Sequence, residues 1–596
     1  MMARYGRKDK EAFRESVELW KRFLSSLGKD RLLVVLPFPK GKQTRDVEGL
    51  FFEAACLSRA CSETGVDLFL YGSSRGMNDC FVKNLVSVWN GRKSGSKEVD
   101  EFVNLASHLM KGKDKLFFRS MFEPAEVVNL AESVKGLEEK KTSFWWKKRI
   151  KNIGAKLEQV CDAVWKNSFN PKKRERLQVR FELVPEEEGL VFEDYLDNFI
   201  IAWFMIFAAA KKGCDVSFKA HTMRKNAEEF PEKSAELANT LAGCHLSMWK
   251  REKVFSAYRK MSSVLNLQFE VAEAVFGISG NGFYGRHVFG EAIGYPVKCG
   301  KSGKCSKWTS PGQIIFKFPW LANSAKEERP PLSRIGFTQT VPVEEFVASN
   351  DIDWKEMRME NRKIELAMKK CDVIEVRSGK GSNFRVCIRK PDGSLRGIKR
   401  SDADARFVVN PELMKKEGKA YGMMANIPGG ECFVTPEWVE GRIVGDVVVS
   451  IDRSYVLSWK RPLVIEASKK GYEIKKGPKD VVSAIEKHRN NAWQSLLRKR
   501  TVLSKQEFEL MKANFAKIGE FAVNTNQKAP LSRYLIVSEK IAGMIHVALG
   551  AGYDADRATT YHYDVVINAK RQKLDIFGSD SKGRRVWIMR GGRLVV

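Results

Sequence analysis

Residues 11 to 90 alternate between two hydrophobic periods. In EAFRESVELWKRFLSSL apolar residues recur every three or four positions, which predicts an amphipathic helix, while RLLVVLPF and VDLFLYG are short apolar runs that predict buried strands. Helices alternating with buried strands form an α/β unit on a parallel sheet. The longest apolar run, Phe199 to Ala210, falls short of the roughly 20 residues a bilayer requires and reads as a core helix. Between these lies a charged, tryptophan-bearing stretch from FWWKKRIKNIGAK to PKKRERLQVR, after which a second α/β-like segment runs on toward residue 300. The expected fold class is therefore α/β and multi-domain, with an enlarged or inserted helical part in the N-terminal region. No internal repeat stands out, and AKEERPPLSR near residues 325 to 334 is the clearest linker signal.

In the last third the pattern changes and titratable residues enter it at fixed places. YHYDVVI is β-branched and aromatic and predicts a strand. Alternation puts His562 and Asp564 on one face, with Cα atoms roughly 7 Å apart, and Tyr561, Tyr563 and Val565 on the other. Taken alone, such a pair also suits a buried hydrogen-bonded couple. Pro428-Gly429-Gly430 is a turn signal that sets Glu431 at a turn-to-strand junction, and an ordinary hairpin with an exposed glutamate is the plain alternative. Glu520 follows Ile518-Gly519 and leads into FAVNTN, where Asn524 and Asn526 could orient neighbours or bind substrate. From Ser538 to Gly550 a helix capped by Ser538 would put Glu539 and His546 on one face; Gly543 weakens that helix, and an extended HVALG tail is the alternative. Glu431, Glu520, Glu539, His546, His562 and Asp564 are of the types that ligate metal ions, and only seven histidines occur in the chain.

The order of NIPGGE, a GE with an asparagine-containing turn, EK..G.IH.ALG..Y and HYD resembles the aminopeptidase T family of metallo-aminopeptidases, often described as leucyl aminopeptidases. DIDWKEMRMENRKIELAMKKCDVIEVRS resembles that family's segment before the catalytic region, where an Asp-Trp pair leads a helix and a strand, and RPLVIEASKKGYEI resembles its strand hairpin. The resemblance covers about half the chain. It implies an accessory α/β region over residues 1–310 and, over residues 311–596, a mixed α/β catalytic domain with a curved sheet carrying a dinuclear site. It further implies two divalent ions, zinc, cobalt or manganese, held by Glu431, Glu520, Glu539, His546, His562 and Asp564, with Asp564 as the bridge. Glu520 would shuttle protons and Tyr553 would donate to the oxyanion. Peptides with a free N-terminus would be the substrates, and the chain would pair as a homodimer. Met544 and Tyr563 depart from the family's usual small hydroxyl residue and tryptophan, which touches rate or substrate preference more than metal binding.

Composition widens the choice in one respect. The chain has 596 residues, 43% of them hydrophobic, as in globular proteins, and a formal charge of +30. Such a charge attracts polyanions, and Phe144, Trp145 and Trp146 followed by Lys147, Lys148 and Arg149 combine stacking rings with cations. Nucleic-acid binding is thus the rival function, and a peptide-binding scaffold without catalysis is another. Eleven scattered cysteines fit free thiols in the cytoplasm, and Cys299 and Cys305 read as a basic loop rather than half a zinc knuckle. GNGFYG, residues 280 to 285, reads as a glycine turn rather than a dinucleotide loop, because no clear strand precedes it and no acidic residue follows at the ribose distance; His287 beside it reads as a surface or packing residue. No segment predicts a membrane association.

Overall fold

The computed structural model describes residues 7–28, 31–37, 48–73, 126–129, 143–183, 192–222, 274–279, 334–406, 424–451, 453–498, 500, 505–579 and 583–596. These form a mixed α/β protein that divides into two compact units. The first takes the described residues up to Val343 together with 405, 406 and 424; the second takes 344–404 and those from 425 onward.

The sheet of the first unit contains β1 (Arg31–Pro37), β2 (Asp67–Ser73), β3 (Glu126–Asn129), β4 (Arg176–Leu183), β5 (Asp215–Thr222), β6 (Ala274–Ser279) and β7 (Arg334–Gln339), as the apolar runs predict for β1 and β2. They neighbour one another in the order β3-β1-β2-β5-β4-β6-β7. Every pairing is parallel except that of β2 with β5. The reason lies in a repeated topology. Helix Arg7–Leu27, β1, helix Glu48–Thr64, β2 and β3 make one half, and helix Ser143–Val164, β4, helix Phe192–Lys211, β5 and β6 make the other. Each half orders its strands alike (β2-β1-β3 and β5-β4-β6), and the halves meet edge to edge in antiparallel fashion. A repeat of this kind is one of element order, which requires no shared residues. FWWKKRIKNIGAK falls in the helix that opens the second half. Phe199, Ile200, Trp203 and Met205 are buried on the core helix the apolar run predicts, and no helix among the described residues is long and apolar enough to cross a membrane.

Two antiparallel sheets build the second unit. The strands of these two sheets in chain order are β8 (Val373–Arg377), β9 (Asn383–Cys387), β10 (Ile398–Ser401), β12 (Glu431–Val434), β13 (Trp438–Gly445), β14 (Val448–Ser450), β15 (Ser454–Val456), β16 (Leu463–Ser468), β17 (Gly471–Lys476), β18 (Ile518–Asn524), β19 (Met544–Gly550), β20 (His562–Asn568), β21 (Asp575–Ser579), β22 (Arg585–Arg590) and β23 (Arg593–Leu594); the short strand β11 (Met424–Asn426) belongs to neither. One sheet runs β10-β12-β18-β19-β20-β14-β15 and the other β17-β16-β13-β9-β8-β21-β22-β23. A single apolar cluster joins them: Ile374, Val376 and Phe384 from one sheet meet Phe521, Val547 and Val565 from the other. The rings of Phe384 and Phe521 stand edge to face at 6.2 Å. The Asp-Trp pair begins a helix as the resemblance implies, since Asp353 accepts hydrogen bonds from the free N–H groups of Lys355 and Glu356 at 2.9 and 3.0 Å and caps helix Trp354–Met368. RPLVIEASKKGYEI forms the hairpin of β16 and β17.

A candidate metal centre on one face of a sheet

Strands β12, β18, β19 and β20 lie side by side, and their register decides where the acidic and imidazole side chains go. Directly opposite residues of an antiparallel pair share a face, as do residues two apart on one strand. Glu431 opposes Asn524, Ala522 opposes His546 and Glu520 opposes Ala548, Ala548 opposes Asp564 and Gly550 opposes His562. Glu431, Glu520, Asn524, His546, His562 and Asp564 therefore all stand on the same face, with the small residues Ala522, Ala548 and Gly550 as the floor between them. The alternate positions, Phe521, Val523, Val547, Tyr563 and Val565, point into the apolar cluster.

Local backbone chemistry places two of these groups. Gly519 is the extra residue of a β-bulge, where the register shifts between Ile518 and Glu520. A Cβ there would lie 2.0 Å from the Ala551 carbonyl oxygen, so only glycine permits the shift that aims Glu520. Gly430 has φ +127°, and a Cβ on it would lie 2.6 Å from that of Asn526, which explains the glycine turn before Glu431. Asn526 orients neighbours: its amide donates to the Ser349 and Gly429 carbonyls at 2.9 and 3.0 Å and its oxygen accepts from Ala529 N–H at 2.9 Å.

The segment from Ser538 to Gly550 is not a helix. A short helix, Leu535–Ser538, stops before Glu539, Gly543 turns the chain at φ +75°, and Met544–Gly550 is β19, the extended alternative. The β-branched Ile545 and Val547 favour the strand, and their burial against the core overrides the helical spacing of Glu539 and His546.

The side chains converge. His546 Nε2 lies 3.1 Å from Glu520 Oε1, 3.7 Å from Glu431 Oε2 and 3.9 Å from Asp564 Oδ1. His562 Nε2 lies 3.2 Å from Asp564 Oδ1. Each imidazole is oriented from behind: His546 Nδ1 is 3.0 Å from Asn524 Oδ1 and His562 Nδ1 is 2.7 Å from the Ala551 carbonyl, which fixes Nδ1 as the donor and turns Nε2 toward the carboxylates. Glu539 joins the group through Lys540, whose ammonium bonds Glu431 Oε1 and stands 2.6 Å from Glu539 Oε1. Lys540 is buried and went unrecognised in the sequence; the signal available was a lysine flanked by buried residues and attached to a candidate ligand. Tyr553 sits outside the cluster, 56% exposed, with its ring edge-on to Phe433 at 5.7 Å and beneath the Lys399 ammonium.

Four buried carboxylates must be compensated, since an unpaired buried charge costs several kcal/mol. Lys540 and two imidazolium groups do so here. Burial works against the His546 cation, yet the hydrogen bond to Glu520 and the charges of Asp564 and Glu431 outweigh it and lift its pKa to about 9. His562 rises to about 10, because Asp564 and Glu520 likewise overcome burial. For Lys540, burial is outweighed by Glu431 and Glu539, and the pKa is raised. Burial pushes Glu539 up despite Lys540, whereas for Asp564 the cations of His562, His546 and Lys540 overcome burial and hold it below the ordinary carboxylate range.

The donor set fits a divalent ion. One oxygen or nitrogen each of Glu431, Glu520 and His546 lies within 4.8 Å of the others, and Glu431 Oε2 is buried without a hydrogen-bond partner among the described residues. Carboxylate and imidazole donors are those that zinc, cobalt and manganese accept.

Other sequence candidates fall elsewhere. Cys299, Cys305, residues 280 to 285 and His287 lie outside the described residues, as do the side chains of Phe144, Trp145, Trp146 and Lys147. Arg149 is directed at buried Asp197, at 3.1 Å.

No protein-family model matches the chain, and comparison with curated protein sequences gives no match. Among solved structures, 2,5-dihydroxypyridine dioxygenase from Pseudomonas putida is similar over 74% of this chain and 97% of its own, at 13% identity and a TM-score of 0.42. Wild-type AmpT from Thermus thermophilus is similar over 74% of this chain and 100% of its own, at 16% identity and a TM-score of 0.40. Both relationships are distant.

Proposed function

We propose that the chain is a metal-dependent aminopeptidase that removes the N-terminal residue from peptides. The observation that carries this reading is the gathering of Glu431, Glu520, His546, His562 and Asp564 on one sheet face with oriented imidazoles and a buried carboxylate oxygen that has no hydrogen bond among the described residues. A divalent ion held there would polarise the scissile carbonyl and lower the pKa of water. The chain's own residues supply the rest. Glu520, beside His546 Nε2, takes the proton of the attacking water and returns it to the leaving amine. Asn524 and the Ala551 carbonyl hold the two imidazoles in the tautomer that presents Nε2. Surplus carboxylate charge on the face attracts the ammonium of a free N-terminus, and the exposed Tyr553 phenol donates a hydrogen bond to the developing oxyanion.

The experiment is release of a free amino acid from short peptides, unblocked or N-acetylated, by protein stripped of metal and then supplied with zinc, cobalt or manganese. Metal-dependent cleavage of the unblocked peptides alone is the expected result. Cleavage of neither form with any metal overturns the proposal. A Glu520→Gln protein is expected to retain its circular dichroism and lose turnover by about 100-fold or more.

A further inference from the structure

The resemblance stated from the sequence implies two ions, but one of the cation positions on this face already has an occupant. We propose that Lys540 is a resident cation and that the chain therefore binds a single divalent ion, at Glu431, Glu520, His546 and Asp564. The inference rests on the metal-dependent reading above and changes the number of ions in it.

Glu431 shows the division most directly. Its Oε1 is bonded by the Lys540 ammonium, whereas its Oε2 faces His546 Nε2 at 3.7 Å and has no hydrogen-bond partner among the described residues. A carboxylate that bridges two cations presents one oxygen to each, and here one of the two is covalently part of the chain. Glu539, the carboxylate on the far side of Lys540, offers its Oε1 to the same ammonium at 2.6 Å. A second ion between Glu431 and Glu539 would have to take the space and the oxygens that the ammonium holds.

The lysine is not free to withdraw. Its side chain is 1% exposed, and its backbone is tied at both ends: the carbonyl accepts from Asn526 N–H at 2.9 Å and the N–H donates to the Val537 carbonyl at 3.1 Å. An ammonium is a compact charge with three donors, and its burial is sustained by carboxylates on two sides. Like charges in a water-excluded site repel strongly, so a divalent ion beside it is disfavoured. On the opposite side the picture reverses. Glu431 Oε2, Glu520 and His546 form the set that one ion can join, with Asp564 Oδ1 3.9 Å from His546 Nε2.

The test is a count of ions. The full chain, stripped with a chelator and dialysed against zinc and separately against manganese, is analysed by inductively coupled plasma mass spectrometry. One ion per chain is expected, and two tightly held ions in the unaltered protein overturn the inference. No retained ion overturns the metal-dependent reading itself, so the two failures are distinct. Lys540→Gln keeps a hydrogen-bond donor and removes the charge; when its circular dichroism matches the parent, it is expected to take a second ion, and a folded variant that still holds one overturns the role given to the lysine. Lys540→Arg retains the charge and is expected to hold one.

Discussion

Adding a divalent ion to the metal-free protein at pH 7 is expected to release about one proton, because His546 must lose its own before it can act as a ligand, whereas His562 lies outside the proposed ligand set. With pKa values of about 9 and about 10, His546 and His562 are almost fully protonated in the metal-free protein at that pH. Freeing His546 alone, about two pH units below its pKa, costs about 3 kcal/mol. Between pH 6 and 8 that one proton is displaced, so apparent affinity should climb about 10-fold per pH unit, and the climb should flatten once pH passes about 9. Isothermal titration calorimetry in two buffers of different ionisation enthalpy counts the protons, and chelator competition across that range gives the slope. Tight binding without proton release at pH 7, or an affinity flat from pH 6 to 8, refutes the reasoning. The sign for folding runs the other way. His546 has a folded pKa above its ordinary 6.5, so its stabilisation of the metal-free fold is complete below that value and is lost as pH rises through about 9.

Three substitutions probe other links. Asn524→Ala removes the acceptor that holds His546 Nδ1 and should weaken metal affinity about 10- to 100-fold while leaving the sheet intact, as read by chelator competition. Tyr553→Phe should lower kcat about 100-fold with little change in KM if the phenol acts on the oxyanion, and an unchanged kcat removes that role. Phe521→Ala empties a buried position between the two sheets and should cost about 3–5 kcal/mol, read from the shift in urea midpoint.

The strand bearing His562 and Asp564 was legible because alternation alone assigns its two faces, and Tyr561, Tyr563 and Val565 are buried on the opposite side as that alternation requires. The turn before Glu431 was legible because Pro-Gly-Gly admits few conformations. Ser538 to Gly550 was not, because its last seven residues, Met544–Gly550, are about two turns of helix and also a legitimate strand, and the choice is made by whether Ile545 and Val547 find a core to enter. Lys540 was hidden for a different reason. Lysines are ordinarily solvated, and this one is buried between its neighbour Glu539 and Glu431, which arrives from a strand distant in sequence. The repeated topology of the first unit was equally out of reach, since a shared order of elements requires no shared residues.

Because β18, β19 and β20 carry core on one face and candidate ligands on the other, the two roles cannot be varied independently. A one-residue slip of β19 against β18 would turn His546 into the apolar cluster and bring Ile545 and Val547 out among four carboxylates. Burial of those aliphatic side chains therefore sets the register that delivers the imidazole, and the bulge at Gly519 is the single place where the pairing is allowed to shift. The charged face gains its position from hydrophobic energy it does not itself supply. Its own contribution in the metal-free protein depends on Lys540 and on two protons, and one divalent ion exchanged for the proton of His546 adds a single positive charge to the face. With four carboxylates met by three positive charges before an ion binds and by four afterwards, a sheet can carry so acidic a surface inside a folded unit in both states.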